Sequence, residues 1–139
     1  MKETNRYIEG KTCLITGATN GIGRVTAVEL ARMGAELFLT YRDEARADKT
    51  MAEIRKKTDN EKVHLLHADL GSQKQIRAVA AEFLALGKPL HVLVNNAGLG
   101  NTKRIMTEDG IEMVSTAPAN RSGSGFASVG EMRIPATIA

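Results

Sequence analysis

Thr16-Gly17-Ala18-Thr19-Asn20-Gly21-Ile22-Gly23 sets three glycines between an apolar run, Cys13-Leu14-Ile15, and a segment where Ala27, Leu30, Ala31 and Gly34 recur at helical spacing. Glycine suits a tight turn and, lacking a Cβ, lets backbone N–H groups approach a ligand closely. The helix that opens after the turn adds unpaired N–H groups and the positive end of its dipole, a seat for a pyrophosphate. Strand, glycine-rich turn and helix in this order predict dinucleotide chemistry.

Working outward, strand-like apolar runs occupy 12–16, 36–41, 63–68 and 91–95, with helical patterns between them. The second helical pattern carries Ala47, Met51 and Ile54, and the third Ile76, Val79, Ala80 and Phe83. Gly34, Gly71 and Gly87-Lys88-Pro89 punctuate the ends. The alternation predicts an α/β fold, a Rossmann-type doubly wound parallel sheet, partial, of about four strands. Right-handed crossovers put the first two helices on one face and the third on the other, with strand order 3-2-1-4 if the third crossover returns past the first strand. The runs are apolar rather than alternating, as expected of strands covered on both faces. Ligand then sits at the carboxyl ends of strands one and four, where the glycine-rich turn and Asn95-Asn96-Ala97-Gly98 would meet.

The 139 residues, 42% hydrophobic and 25% charged, describe an ordinary globular chain of one domain or part of one. A net charge of +3 is dispersed, without a basic stripe and stacking aromatics, which argues against nucleic acid as a partner. The apolar runs are of strand length, so no transmembrane segment is expected. No apolar stretch follows the first six residues, so no secretory signal is expected and the default location is cytoplasmic. Cys13 is the single cysteine, which rules out an internal disulfide and reads as a buried, inert thiol. His64 and His67, three apart on a strand, point to opposite faces, and no ligand spacing predicts a metal site. His91, at a strand entrance, reads as structural or solvated.

Residues 1–114 are thus expected to form a dinucleotide-binding half-domain. Thr107-Glu108-Asp109-Gly110-Ile111-Glu112 reads as a helix start, with Thr107 as N-cap and acids in the first turn. From Ser115 the pattern dissolves: Pro118, Pro135, Gly123, Gly125 and Gly130 interrupt a stretch of no clear period, and 115–139 reads as an irregular tail.

Thr16-Gly-Ala-Thr-Asn-Gly-Ile-Gly23 resembles the TGxxxGxG cofactor motif of short-chain dehydrogenases/reductases. Asn95-Asn-Ala-Gly98 is similar to that family's NNAG motif, and Asp69-Leu70 to its acidic position after the third strand, which contacts adenine. Tyr41-Arg42-Asp43 and the segment 107–112 resemble the retinol-dehydrogenase-like branch, and the likeness runs from Lys11 to about Val114. It implies a nicotinamide dinucleotide held by Gly17, Thr19, Asn20, Gly21, Ile22, Gly23, Arg42, Asp69, Leu70, Asn95, Ala97 and Gly98. NAD-preferring members place a carboxylate at the end of the second strand for the ribose 2′-OH. Here that position is Tyr41, followed by Arg42, whose planar cation suits a 2′-phosphate, with Arg24 adding positive potential. NADP is therefore expected over NAD, with Asp43 as the residue opposing that choice. The plainer alternatives are that Arg42 only covers apolar surface with its stem, and that Asn95 only serves a turn.

The resemblance also implies a catalytic apparatus: a tyrosine, a lysine four residues on that lowers its pKa, and a serine after the fifth strand. Tyr41 has Ala45 at that spacing, and Tyr7 has Lys11, but Gly10 interrupts the latter pair and Lys11 leads straight into a strand. No catalytic residue is assigned. The expected function is that of an NADP-dependent short-chain oxidoreductase interconverting alcohol and carbonyl, its lipophilic substrate belonging to a full-length relative. The alternative is a truncated, inactive nucleotide- or partner-binding fragment. An uncovered fourth strand is expected to favour self-association through the sheet edge.

Overall fold

A computed structural model describes residues 7–97, 106 and 108–110. The helix and strand elements are β1 (Thr12–Ile15), α1 (Gly21–Arg32), β2 (Glu36–Tyr41), α2 (Glu44–Thr58), β3 (Val63–His67), α3 (Gln73–Ala85) and β4 (Val92–Val94). The strands lie within one residue of the predicted runs at either end. The expected tail at 115–139, and with it the boundary at 114, lies outside the described residues.

All pairings are parallel and the sheet runs β3-β2-β1-β4, the predicted Rossmann order. β1 is central, pairing Cys13 with Leu37 on one side and with Val92 on the other. Its alternate side chains feed two cores. Cys13 and Ile15 join Ala27, Val28, Leu37, Leu39 and Ile54 beneath α1 and α2. Leu14 joins Phe38, Leu66, Val79 and Phe83 beneath α3. Two helices on one face and one on the other is the arrangement that right-handed crossovers require.

Coverage is less complete than the apolar runs suggest. β1 is buried throughout, but His64 and His67 of β3 are exposed and all three residues of β4 are half-buried. Among the described residues both strands lie at a sheet edge, with a neighbouring strand on one side only. His64 stacks on Phe38 on the α3 side, whereas His67 meets Tyr41 edge-on, so the two imidazoles do face opposite ways.

Each helix begins at a side chain suited to the role. Asn20 caps α1, accepting from Gly21 N; Asp43 caps α2, accepting from Arg46 N; Ser72 caps α3, accepting from Gln75 N. α2 ends at Asp59 in the left-handed conformation (φ 54°). Asn60 then clamps the turn: Nδ2 donates to Ala31 O at 2.9 Å and Ala35 O at 2.8 Å, while Oδ1 accepts from Lys62 N at 2.8 Å.

Candidate functional site

The two loops predicted to meet do so, in direct contact. Thr16 N donates to Val94 O at 3.0 Å, extending the β1–β4 pairing by one rung. Thr16 Oγ1 accepts from Asn96 N at 3.2 Å and from Ala97 N at 3.1 Å. Asn96 Nδ2 donates to Gly17 O at 3.1 Å. Thr16 and Asn96 are not among the sequence candidates, yet they hold the loops together. Thr16 is 2% exposed, and the signal available in sequence is a hydroxyl at a strand end beside the first glycine.

The motif glycines play roles other than the one first suggested. A Cβ on Gly17 (φ +67°) would lie 2.7 Å from Ala97 Cα, and one on Gly23 would lie 2.3 Å from both Asn96 Nδ2 and Gly17 O. These two glycines admit the chain's own backbone. Of the three, only Gly21 faces open space, where an added Cβ would meet nothing within 4 Å. It stands at the start of α1, beside Ile22, which is 79% exposed.

The N-terminus of α1 is electrostatically distinct. Asn20 accepts from Gly21 N and from Arg24 N, leaving the N–H groups of Ile22 and Gly23 without an acceptor among the described residues. The first turn of α1 holds no acidic residue. α2, by contrast, begins at Asp43 and Glu44. At α3, Gln73 N donates to Asp109 Oδ2 at 2.8 Å and Ser72 donates to Glu108. Among the described residues, only α1 of the three helices keeps its positive end clear of carboxylates, where an anion gains most from the dipole.

The remaining candidates gather around this end of the sheet. Thr19 and Asn20 lie in the turn, with Asn20 committed to capping. Arg42 is exposed just after β2, with no side-chain partner among the described residues. Asp43 is engaged at Arg46 N, 3.0 Å from Oδ1. Arg24, expected to add positive potential, instead lies 3.6 Å from Glu53 across the α1–α2 contact. Asp69 Oδ1 accepts from Gly71 N at 2.8 Å, and Leu70 packs on the α3-side core. Asn95 carries a buried Oδ1 with no hydrogen-bond partner among the described residues. Gly98 lies outside the described residues. A clear helix N-terminus, a glycine open to solvent and an orphaned buried acceptor fit a dinucleotide.

The segment after β4 departs from expectation. Glu108 and Asp109 form a turn ended by Gly110 at φ +71°, a conformation that a right-handed helix does not continue through. Its carboxylates therefore serve α3 rather than a helix of their own; Thr107 lies outside the described residues.

Three other sequence readings meet the structure directly. Cys13 is fully buried, and burial pushes its thiol pKa up, away from reactivity. His91 is structural: its Nδ1 accepts from Thr12 N at 2.9 Å while its own backbone N–H donates to Thr12 O at 3.0 Å. Tyr7 is 85% exposed and precedes a turn in which Lys11 N donates to Ile8 O, so Tyr7 and Lys11 share no helix.

The short chain dehydrogenase family model matches residues 11–119. Retinol dehydrogenase 12 of Mus musculus is 46% identical over 109 residues, which cover 78% of this chain and 34% of that protein. The chain spans about a third of the length of the curated relatives it matches. A metagenomic short-chain oxidoreductase crystallised with NADP superposes with a TM-score of 0.75 at 26% identity, covering 92% of this chain and 57% of that one. The NADH-dependent reductase A1-R′, crystallised with NAD, superposes with a TM-score of 0.71 at 28% identity, covering 94% and 53%. Motif, strand order and these likenesses agree: the chain belongs to the short-chain dehydrogenase family, in its retinol-dehydrogenase-like branch.

Proposed function

We propose that this chain is the cofactor-binding part of an NADP-dependent short-chain oxidoreductase acting on a lipophilic alcohol or carbonyl, and that these residues alone bind without turning over. The observation that carries the proposal is the α1 N-terminus, free of carboxylates among the described residues, together with exposed Arg42 directly after β2, the strand that pairs with β1. Ile22 and Gly23 N–H groups would hold the pyrophosphate, Arg42 the 2′-phosphate, and Asp69 the adenine. When bound, the nicotinamide supplies hydride transfer between alcohol and carbonyl. The capping role of Asp43 supports NADP over NAD, because its Oδ1 is held at Arg46 N rather than left for a ribose hydroxyl. Retinol in the name of a similar protein supports the lipophilic substrate class.

The non-catalytic part of the proposal rests on Tyr7 and Lys11, the single pair at the spacing the reaction needs, which lies in a turn below the sheet's amino end. Calorimetry of NADP and NAD against Arg42→Asp tests the cofactor choice. NADP affinity should fall on the order of a hundredfold and NAD affinity far less. Equal losses would refute the role of Arg42. Sustained NADPH oxidation by the chain across a panel of aldehydes would refute the absence of turnover.

A further inference from the structure

Asp69 sits on a loop held from both ends. Ala68 N donates to Tyr41 O at 2.9 Å, tying the loop to β2. Asp69 N donates to Gln75 Oε1 at 2.8 Å, and Asp69 O accepts from Ser72 N at 3.1 Å. The carboxylate of Asp69 uses Oδ1 on Gly71 N, while Oδ2 has no partner among the described residues. A Ser-x-x-Gln start such as 72–75 ordinarily turns the glutamine back to the cap's own N–H. Here that N–H already belongs to Asp69 O, and the glutamine reaches three residues further back, to Asp69 N.

The other side of this arrangement is built by residues far along the chain. Ser72 donates its hydroxyl hydrogen to Glu108, which leaves an Oγ lone pair for Gln75 N, 3.4 Å away. Asp109 Oδ2 takes Gln73 N at 2.8 Å. The turn at 108–110 thus anchors the first turn of α3, Gln75 extends from that turn, and Gln75 fixes the backbone of Asp69. We infer that Glu108 and Asp109 are positioning residues for base recognition, acting through Ser72 and Gln75 to hold the free Asp69 oxygen where it accepts the exocyclic amino group of adenine. The role presupposes the dinucleotide site proposed above, and it assigns to a segment beyond β4 a part in reading the base.

The test compares NADP with its hypoxanthine analogue, which replaces the amino group by a carbonyl oxygen, on the full chain by calorimetry. A charge-assisted hydrogen bond lost, with two acceptors facing each other, predicts that wild type prefers adenine on the order of tenfold or more. Glu108→Ala/Asp109→Ala should bring that ratio towards one. Glu108→Gln/Asp109→Asn, which keeps an acceptor at each position, should retain it. Gln75→Met removes the last link without touching the turn, and should reproduce the collapse even where the double alanine variant does not fold. A purely structural loss would weaken both ligands alike and leave the ratio standing, which would overturn the inference. Wild type binding both analogues equally would overturn it too while sparing the dinucleotide site. Wild type binding neither would overturn both.

Discussion

Gly23→Ala probes how tightly the glycine-rich turn packs on itself and on the chain after β4. Gly23 lies inside α1, where alanine is favoured over glycine by about 1 kcal/mol. Propensity alone therefore predicts stabilisation. The structure predicts the opposite, because the new Cβ would sit 2.3 Å from Gly17 O and 2.3 Å from Asn96 Nδ2. Gly17 O is backbone and cannot swing aside as a side-chain end can. Overpacking costs about 1–3 kcal/mol, and two simultaneous clashes place this case at the upper end. Displacing Asn96 also loses its bond to Gly17 O, about 1 kcal/mol more. After the helix gain is subtracted, Gly23→Ala should destabilise by about 2–3 kcal/mol, a shift in melting temperature of roughly 7–10 °C for a chain of this size. Gly21→Ala meets open space and incurs only the left-handed strain of φ +51°, about 1–2 kcal/mol. Urea unfolding followed by circular dichroism measures both. Adding Asn96→Ala to Gly23→Ala should cost less than the sum of the single changes, since one of the two clashes is gone, although Gly17 O remains. If Gly23→Ala stays within about 0.5 kcal/mol of wild type, or stabilises as propensity demands, the close approach of Gly23 to both Gly17 O and Asn96 is refuted.

Glu36 links β2 to Lys88 at 2.8 Å and to His64 at 3.0 Å. Burial pushes its carboxyl up, but hydrogen bonds and charge from Lys88 and His64 outweigh this and hold it below its ordinary 4.5. A depressed carboxylate stabilises above its unfolded value and loses that contribution as pH falls through its folded one, so Glu36→Gln should destabilise at neutral pH by an amount that shrinks below about pH 4.5. Parallel pH profiles for mutant and wild type would remove this role. His91→Leu should leave Thr12 N without its acceptor and cost about 1 kcal/mol, with faster hydrogen exchange at the Thr12 amide; unchanged protection would show that Nδ1 contributes nothing. The outer edge of β4 has no neighbouring strand among the described residues, so sedimentation should show association that grows with concentration. A compact monomer at every concentration, with an unfolding free energy above about 5 kcal/mol, would show the edge to be covered.

Sequence by itself determined the architecture. The spacing of Ala27, Leu30 and Ala31, the apolar runs between glycines and the handedness of parallel crossovers suffice for element order, strand order and helix placement, because those depend on periodicity and chirality. It also located the two loops that meet at the carboxyl edge, since each carries a local motif. What it left undecided depends on contacts across long separations. That Gly17 admits the backbone of Ala97 and Gly23 the side chain of Asn96, while an added Cβ on Gly21 would meet nothing among the described residues, follows from the position of Ala97 and Asn96, more than seventy residues away and just past the β1–β4 pairing. The pairing of Arg24 with Glu53, and the commitment of Asp43 to a helix cap, are choices among several partners that composition makes equally available. The acids at 108 and 109 read as the start of their own helix because local propensity sees only neighbours in sequence. Only the tertiary fold brings the N-terminus of α3 within reach of them, and a positive φ at Gly110 turns the chain there. Which of three similar helix N-termini stays open to an anion among the described residues is thus a tertiary property: carboxylates from elsewhere in the chain close one, its own acids close another, and α1 is left.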